Sequence, residues 1–308
     1  MPSPFAGDGL GLNTAGVFAY AGAMSSVFKA ACVQNCATPE VAHNLEVALR
    51  LTRAAAGAGA ELISLPEYFS GIETREGLFR PAAFPEESHP VLPAFAAAAR
   101  ELGVWLHLGS LGISLPDGRV LNRGYVLNAE GGVAARYDKI HLFDVNLGPG
   151  KDYRESATVE PGGQAVLAKL PWTTLGLSIC YDLRFAALYR HLAQSGARVL
   201  AIPAAFTKLT GEAHWHVLNR ARAIETGSYV LAPCQYGTLA GGGACFGHSL
   251  IVDPWGEVLA DGGEQEGFVI AEIDPAKAEA ARGRIPALEH DRPFAPAEAD
   301  LEPPAAAQ

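Results

Sequence analysis

The chain has 308 residues, 49% of them hydrophobic and 18% charged, with 34 Gly and 21 Pro. That is enough apolar chain for a large core and rules out a disordered or collagen-like protein. The formal net charge of −10, without a basic run, argues against a nucleic-acid partner, because phosphate contacts need clustered Lys and Arg. Five cysteines, Cys32, Cys36, Cys180, Cys234 and Cys245, form no CxxC pair. A disulfide scaffold and a metal site are therefore not expected, and a reducing, cytoplasmic location is. Gly9 to Phe28 and Ala232 to Val252 carry no charge but are broken by glycines and polar residues, so no membrane span is expected.

In chain order, Lys29 to Gln34 reads as a first strand. Thr38-Pro39-Glu40 then has the form of a helix start, an N-cap followed by Pro and an acid. Val41, Leu45, Ala48, Thr52 and Ala55 recur at helical spacing up to Gly57 and Gly59. Glu61 to Leu65 is a short apolar strand stopped by Pro66. A second helix is predicted over about 90–102, ended by Gly103, with a strand at Val104–Leu108. Val120–Ala129 and Val133–Tyr137 read as a hairpin around Glu130-Gly-Gly132.

The alternation continues in the second half. Strands are predicted at Ala165–Leu170 and Thr174–Ile179, and a helix over about 184–194, closed by Gly196. A strand follows at Arg198–Ile202, then a helix at Glu212–Glu225 with Val217, Ala221 and Ile224 on one face. Further strands are expected near Tyr229–Ala232, His248–Val252 and Phe268–Ile273. Residues 1–23 read as an N-terminal extension, with Met24 an alternative start, 24–293 as one domain, and Phe294 to Gln308 as a frayed tail. Helices interleaved with hairpin-bearing strands predict an α/β fold with helix layers outside a mixed-sheet core.

Glu67, Lys139 and Cys180 each follow a predicted strand, and strand ends converge on one sheet edge where sites collect. Cys180 sits at a strand-to-helix turn, where backbone N–H groups can stabilise an oxyanion. A carboxylate can take the thiol proton and an ammonium can stabilise the thiolate and a tetrahedral intermediate, so the trio would support acyl transfer without histidine or metal. Each residue also has a plain alternative: a buried small hydrophobe at Cys180, solvated ends at Glu67 and Lys139.

Leu65-Pro-Glu67, Tyr137-Asp-Lys-Ile-His-Leu-Phe143 and Ser178-Ile-Cys-Tyr-Asp-Leu-Arg-Phe185 resemble the three signatures of the nitrilase superfamily of carbon–nitrogen hydrolases. Ala213-His-Trp215, Arg220-Ala-Arg-Ala-Ile-Glu225 and Gly247 to Gly256 add to the likeness, which extends from Lys29 to about Pro293. The resemblance implies a four-layer α-β-β-α sandwich, with Glu67 as general base, Lys139 as oxyanion stabiliser and Cys180 as nucleophile. It further implies that Glu155 orients the lysine, that the Tyr181 N–H completes the oxyanion hole, and that the chain forms a homodimer through the helices after Cys180 and around Trp215. No cofactor is implied.

Cys-Tyr-Asp-Leu-Arg resembles the omega-amidase and deaminated-glutathione amidase branch. There Arg184 would bind the distal carboxylate of a small amide such as α-ketoglutaramate, and Phe206 and Thr210 match other pocket positions. A structural salt bridge of Arg184, for instance with Asp182, is the competing reading. An N-carbamoyl-amine hydrolase is a more distant enzymatic alternative, and a catalytically silent oligomeric binding module the non-enzymatic one. The chain departs from the branch at Ala186-Ala187, where Pro-Glu is usual, and at His216, where Glu is usual. His214 and His216 point to different helix faces and cannot chelate one ion together. His141 is expected to pack near Lys139, Gly241 to Gly243 to form a flexible loop near the site, and Asp253-Pro-Trp-Gly256 to be a turn.

Overall fold

A computed structural model describes residues 27–75, 78–148 and 152–294. The expected extension 1–23 and all but the first residue of the expected tail lie outside the described residues.

Two mixed β-sheets stack face to face. The first runs in the order Gly267–Ile273, Phe28–Gln34, Leu62–Ser64, Trp105–His107, Val120–Leu127, Leu111–Ser114 and Ala83–Phe84, with Val133–Asp138 and Val159–Glu160 also paired to Val120–Leu127. The second runs Leu167–Lys169, Thr174–Leu177, Val199–Ala201, Tyr229–Ala232, Leu250–Val252 and Val258–Asp261. Period-two alternation assigns the faces of the first sheet. Ala30, Cys32 and Leu62 join the core shared with the second sheet, whereas Ala31, Val33 and Ile63 join the core under the first helix pair. Across the sandwich the Cys32 thiol donates to the Leu250 carbonyl at 3.6 Å.

Helices α1 (Val41–Gly57) and α2 (Val91–Leu102) cover the outside of the first sheet through Leu51, Ala55, Phe95 and Ala99. Helices α3 (Ala186–Gln194) and α4 (Lys208–Thr226) cover the second through Leu188, Leu192, Trp215 and Ala223. The result is the expected α-β-β-α order. Strands Val199–Ala201 and Tyr229–Ala232 are buried throughout, which is why they are continuous apolar runs. Helix α5 (Pro275–Arg284) starts at Asp274, whose carboxylate accepts from the Ala276 amide at 3.0 Å.

Several expectations need correction. Helix α1 begins at Val41, not at Thr38. The Asn44 side chain reaches back to accept from the Thr38 amide at 2.9 Å, and Thr38 Oγ1 accepts from Glu40 N at 3.1 Å, so 38–40 is a turn ahead of the helix. The α4 face carrying Val217 and Ile224 points outward, these two being 66% and 54% exposed, and Trp215, Asn219, Arg222 and Ala223 face the core instead. The stretch 72–81, for which no element was expected, is a hairpin of Ile72–Arg75 and Leu78–Pro81. Gly241 to Gly243 form the tip of a second hairpin, Tyr236–Thr238 with Ala244–Phe246, packed so closely that a Cβ on Gly241 would meet the Thr74 carbonyl oxygen at 1.8 Å. The Asp253 to Gly256 turn is present: the Asp253 carboxylate accepts from Trp255 N and Glu257 N at 2.8 and 2.9 Å.

Candidate active site

Glu67 leaves the strand Leu62–Ser64 through Pro66. The chain can turn there because Gly109 backs it: a Cβ on Gly109 would lie 2.1 Å from the carbonyl oxygens of Leu65 and Pro66. Lys139 follows Val133–Asp138, its amide donating to the Asn122 carbonyl at 3.0 Å and its carbonyl accepting from Gly162 N at 2.8 Å. Glu155 opens a short 3-10 turn, Glu155–Ala157. Cys180 opens another, Cys180–Arg184, just beyond the strand Thr174–Leu177.

The three charged groups meet in the interior. Lys139 Nζ donates to Glu67 Oε1 at 3.0 Å and to both Glu155 oxygens at 3.0 and 2.9 Å. Glu67 Oε2 accepts from the Ala205 amide at 2.8 Å, and Glu155 Oε2 accepts from the Phe143 amide at 2.6 Å. Glu67 and Lys139 are almost fully buried. Burial acts to lower the Lys139 pKa, but Glu155 and Glu67 outweigh it and hold the ammonium well above its ordinary range. Burial and the neighbouring Glu67 charge raise the Glu155 carboxyl, against the pull of Lys139.

Cys180 has φ +51°, a left-handed conformation uncommon for a residue with a side chain. It is held there by its amide, which donates to the Pro203 carbonyl at 2.9 Å. The Tyr181 amide comes next, in the first turn of a 3-10 helix, where N–H groups lack helical partners. Burial, then Glu67, push the Cys180 thiol well above its ordinary range, and Lys139 pulls the other way. Glu67 and Lys139 line the same pocket as the sulfur, one positioned to hold its proton and the other to stabilise its anion.

Glu67, Lys139, Glu155, Cys180, Tyr181, Phe206 and Thr210 line one pocket, walled by Ile72, Phe79 and Pro81 of the first hairpin and by Phe143. Arg184 stands apart from that lining. Its guanidinium lies over the rings of Phe206 and Tyr181, 5.4 and 5.8 Å from their centroids, and its two Nη atoms approach His214 Nδ1 at 3.4 Å. The suggested Arg184–Asp182 salt bridge is not formed. The Asp182 carboxylate instead accepts from Tyr137 OH at 2.7 Å, Ile179 N at 2.9 Å and His141 N at 3.0 Å, and meets His141 Nδ1 at 2.7 Å. It thus ties the segment carrying Lys139 to the turn carrying Cys180. His141 stacks on Phe185 with ring centroids 3.5 Å apart, in the packing role expected of it.

Two contributors went unread in the sequence, and a third was read only as a candidate partner of Arg184. Asn122 Nδ2 donates to Glu67 Oε1 at 2.9 Å and to Glu155 Oε1 at 3.4 Å. Tyr68, at φ +50°, lines the pocket with a buried hydroxyl that has no hydrogen-bond partner among the described residues. Asp182 is the third. A polar residue inside a predicted strand was the available signal for Asn122; for Tyr68 it was adjacency to Glu67.

The carbon-nitrogen hydrolase family model matches residues 29–283. A deaminated glutathione amidase of Synechocystis sp. is 41% identical over 269 residues, covering 85% of this chain and 97% of that protein. The Homo sapiens protein of that name is 39% identical, covering 85% and 82%. Omega-amidase NIT2-A of Xenopus laevis is 35% identical, covering 84% and 93%. Among solved structures, the C. elegans NitFhit protein superposes with a TM-score of 0.79 at 31% identity, over 87% of this chain and 66% of that longer one. Saccharomyces cerevisiae Nit3, of the nitrilase superfamily, gives 0.76 at 28%, over 87% and 98%. With its sandwich fold, its pocket and a family match over most of its length, the chain belongs to the carbon–nitrogen hydrolases of the nitrilase superfamily, as an amidase-type member.

Proposed function

We propose that the protein is a thiol amidohydrolase that cleaves the amide C–N bond of a small carboxylate-bearing amide through a thioester on Cys180. The observation that carries this reading is a buried ammonium clamped by two carboxylates, with a thiol on a left-handed turn in the same pocket. Glu67 takes the proton from Cys180 as the sulfur attacks the amide carbonyl. The Lys139 ammonium and the Tyr181 N–H stabilise the oxyanion, worth about 3–4 kcal/mol per well-placed donor. Glu67 passes its proton to the leaving amine and the C–N bond breaks. Water, deprotonated by Glu67, attacks the thioester; the acid leaves, and the proton returns to the thiolate. Glu155 and Asn122 keep Lys139 and Glu67 in place throughout.

Deaminated glutathione and α-ketoglutaramate present the same acyl group and differ in the amine that leaves, a dipeptide or ammonia. The identities of 41% and 39% to the Synechocystis and human deaminated glutathione amidases, against 35% to the omega-amidase, support the larger leaving group. Rates of acid release from the two amides, side by side at equal concentration, test this choice. Faster turnover of the dipeptide amide is expected, and exclusive turnover of α-ketoglutaramate would reverse it. No turnover of either, with no acyl adduct, would leave the silent binding module as the better account.

Arg184 suits the carboxylate, because its planar fork can donate two hydrogen bonds to one and its present contact with His214 is long. Arg184→Ala is expected to raise KM for acidic amides about tenfold to a hundredfold, equivalent to a charge-assisted bond of about 1.5–3 kcal/mol, and to leave neutral amides unaffected. Equal loss on both classes would assign Arg184 a structural role. The unpartnered Tyr68 hydroxyl gives a second expectation. Tyr68→Phe should lower kcat/KM about tenfold, through loss of one hydrogen bond to substrate, without lowering Tm, because no protein partner is lost. A variant of unchanged activity would remove Tyr68 from substrate binding.

The exposed apolar residues Leu209, Val217 and Ile224 on one side of α4 support a homodimer, with a second copy covering that face; sedimentation velocity of Val217→Glu beside the wild type tests it. All five cysteines are free, which suits a reducing cytoplasm. No helix of the described residues is long and apolar enough to cross a membrane.

A further inference from the structure

Three side chains that the amidase reading does not use converge near Trp215, whose Nε1 donates to the His248 carbonyl at 2.7 Å. His216 comes from α4, His248 from the segment ahead of the strand Leu250–Val252, and Asp261 from the end of Val258–Asp261. His216 Nε2 lies 2.9 Å from Asp261 Oδ2, and His248 Nδ1 lies 2.9 and 3.1 Å from the two Asp261 oxygens. One donor atom from each falls within 4.8 Å of the others. We propose that His216, His248 and Asp261 form a binding site for one divalent transition-metal ion of the zinc class.

Two imidazole nitrogens and a carboxylate oxygen are the donor set that such ions prefer, and three protein ligands leave a position for water. Bonds of about 2.0–2.1 Å from one ion put its ligand atoms about 3.3 Å apart, so the contacts to Asp261 at 2.9 Å need to open by a few tenths of an ångström and the two imidazole nitrogens, now within 4.8 Å of each other, need to take up the same spacing. The cluster comes from three separate pieces of chain, and its backbone is fixed before any ion arrives. His248 adopts φ +53°, locked by its amide donating to Gly263 O at 2.6 Å and its carbonyl accepting from Trp215 Nε1 at 2.7 Å. Its ring stacks on Phe246, with centroids 4.4 Å apart, and meets the His216 ring edge-on at 5.2 Å. Asp261 Oδ1 also accepts from Gly263 N at 2.9 Å, which orients the carboxylate as outer partners of metal ligands do. All three side chains keep partial solvent access, so an ion can enter.

His216 stands where the branch usually has Glu, and the sequence offered no partner for it, because the other two ligands lie 32 and 45 residues away along the chain. The ion would act as a clamp. It would join α4, which also carries the pocket residue Thr210, to the segment ahead of Leu250–Val252 and to the strand Val258–Asp261. Phe206 packs on Trp215 at 5.0 Å. This proposal does not depend on the amidase reading.

The test is titration of the tag-free full chain with Zn2+ by calorimetry and with Co2+ by visible absorption, at neutral pH. One ion per chain is expected, with a Co2+ spectrum lacking thiolate charge-transfer bands and a higher Tm in the presence of Zn2+. Cys180→Ala should bind as the wild type does. His216→Ala and Asp261→Asn should each weaken binding at least about tenfold while keeping the wild-type circular dichroism, and Asp261→Glu should retain part of it. Absence of binding up to millimolar metal, a thiolate band in the Co2+ spectrum, or undiminished affinity in both His216→Ala and Asp261→Asn would each overturn the proposal. In those cases Asp261 is simply an acid paired with two histidines.

Discussion

Cys180→Ala is expected to lower kcat on the best amide substrate by about 10⁴-fold or more, the scale seen when a catalytic nucleophile is removed, with KM little changed. The sulfur is the atom that would carry the acyl group, and the surrounding groups cannot replace it. Glu67 is already engaged by Lys139, Asn122 and the Ala205 amide, so it is poorly placed to become a nucleophile itself. The fold should survive: the strained turn at φ +51° is held by backbone bonds and by Asp182, not by the thiol. Steady-state kinetics beside a thermal melt check this. Comparable kcat in the variant, or a loss that merely follows unfolding, would contradict it.

Lys139→Met is expected to cost about 3–5 kcal/mol of stability at neutral pH as well as activity, because it leaves buried charge without its counter-charge. Lys139 is sandwiched between Glu67 and Glu155 at 3.0 and 2.9 Å. Without it two carboxylates face each other in the interior. The Glu155 carboxyl is raised by burial even with the lysine present, and its removal should raise it further. A carboxyl whose folded pKa exceeds its unfolded value, near about 4.3, costs no stability below that unfolded value. The penalty grows as pH rises toward the folded pKa. The gap between wild type and variant should therefore be smaller at acid pH than at alkaline pH. Urea denaturation of both at pH 5 and pH 8 reads it; a gap independent of pH would mean that the carboxylates are not the source.

The strands and covering helices were legible in the sequence because they are local patterns, whereas the stacking of two sheets came with the family resemblance. Lys29 to Gln34 alternates toward two different cores, and Val41 to Ala55 repeats at helical spacing. What stayed hidden depends on distant partners. The hairpin 72–81 walls a pocket rather than a sheet core, so Ile72, Phe79 and Pro81 follow no regular period. Val217 and Ile224 have the spacing of a core face, yet point outward, because hydrophobic spacing cannot tell a face against the core from one left for a partner. Asn122 and Asp182 act through hydrogen bonds spanning 45 residues or more to Glu67 and Tyr137, which no local pattern encodes. Glu67, Lys139 and Cys180 could be singled out by their place at strand ends; Glu155 came only with the family resemblance.

The most direct test of the central claim is to trap the thioester. The wild type, mixed with the amide of an α-keto dicarboxylic acid and quenched in acid during turnover, should gain the mass of the acyl group without its amine, on the peptide containing Cys180. The adduct should disappear as substrate is consumed and be absent from Cys180→Ala. Turnover at the same rate with the acyl group on another residue, or with none at any time point under conditions that preserve thioesters, would contradict the account.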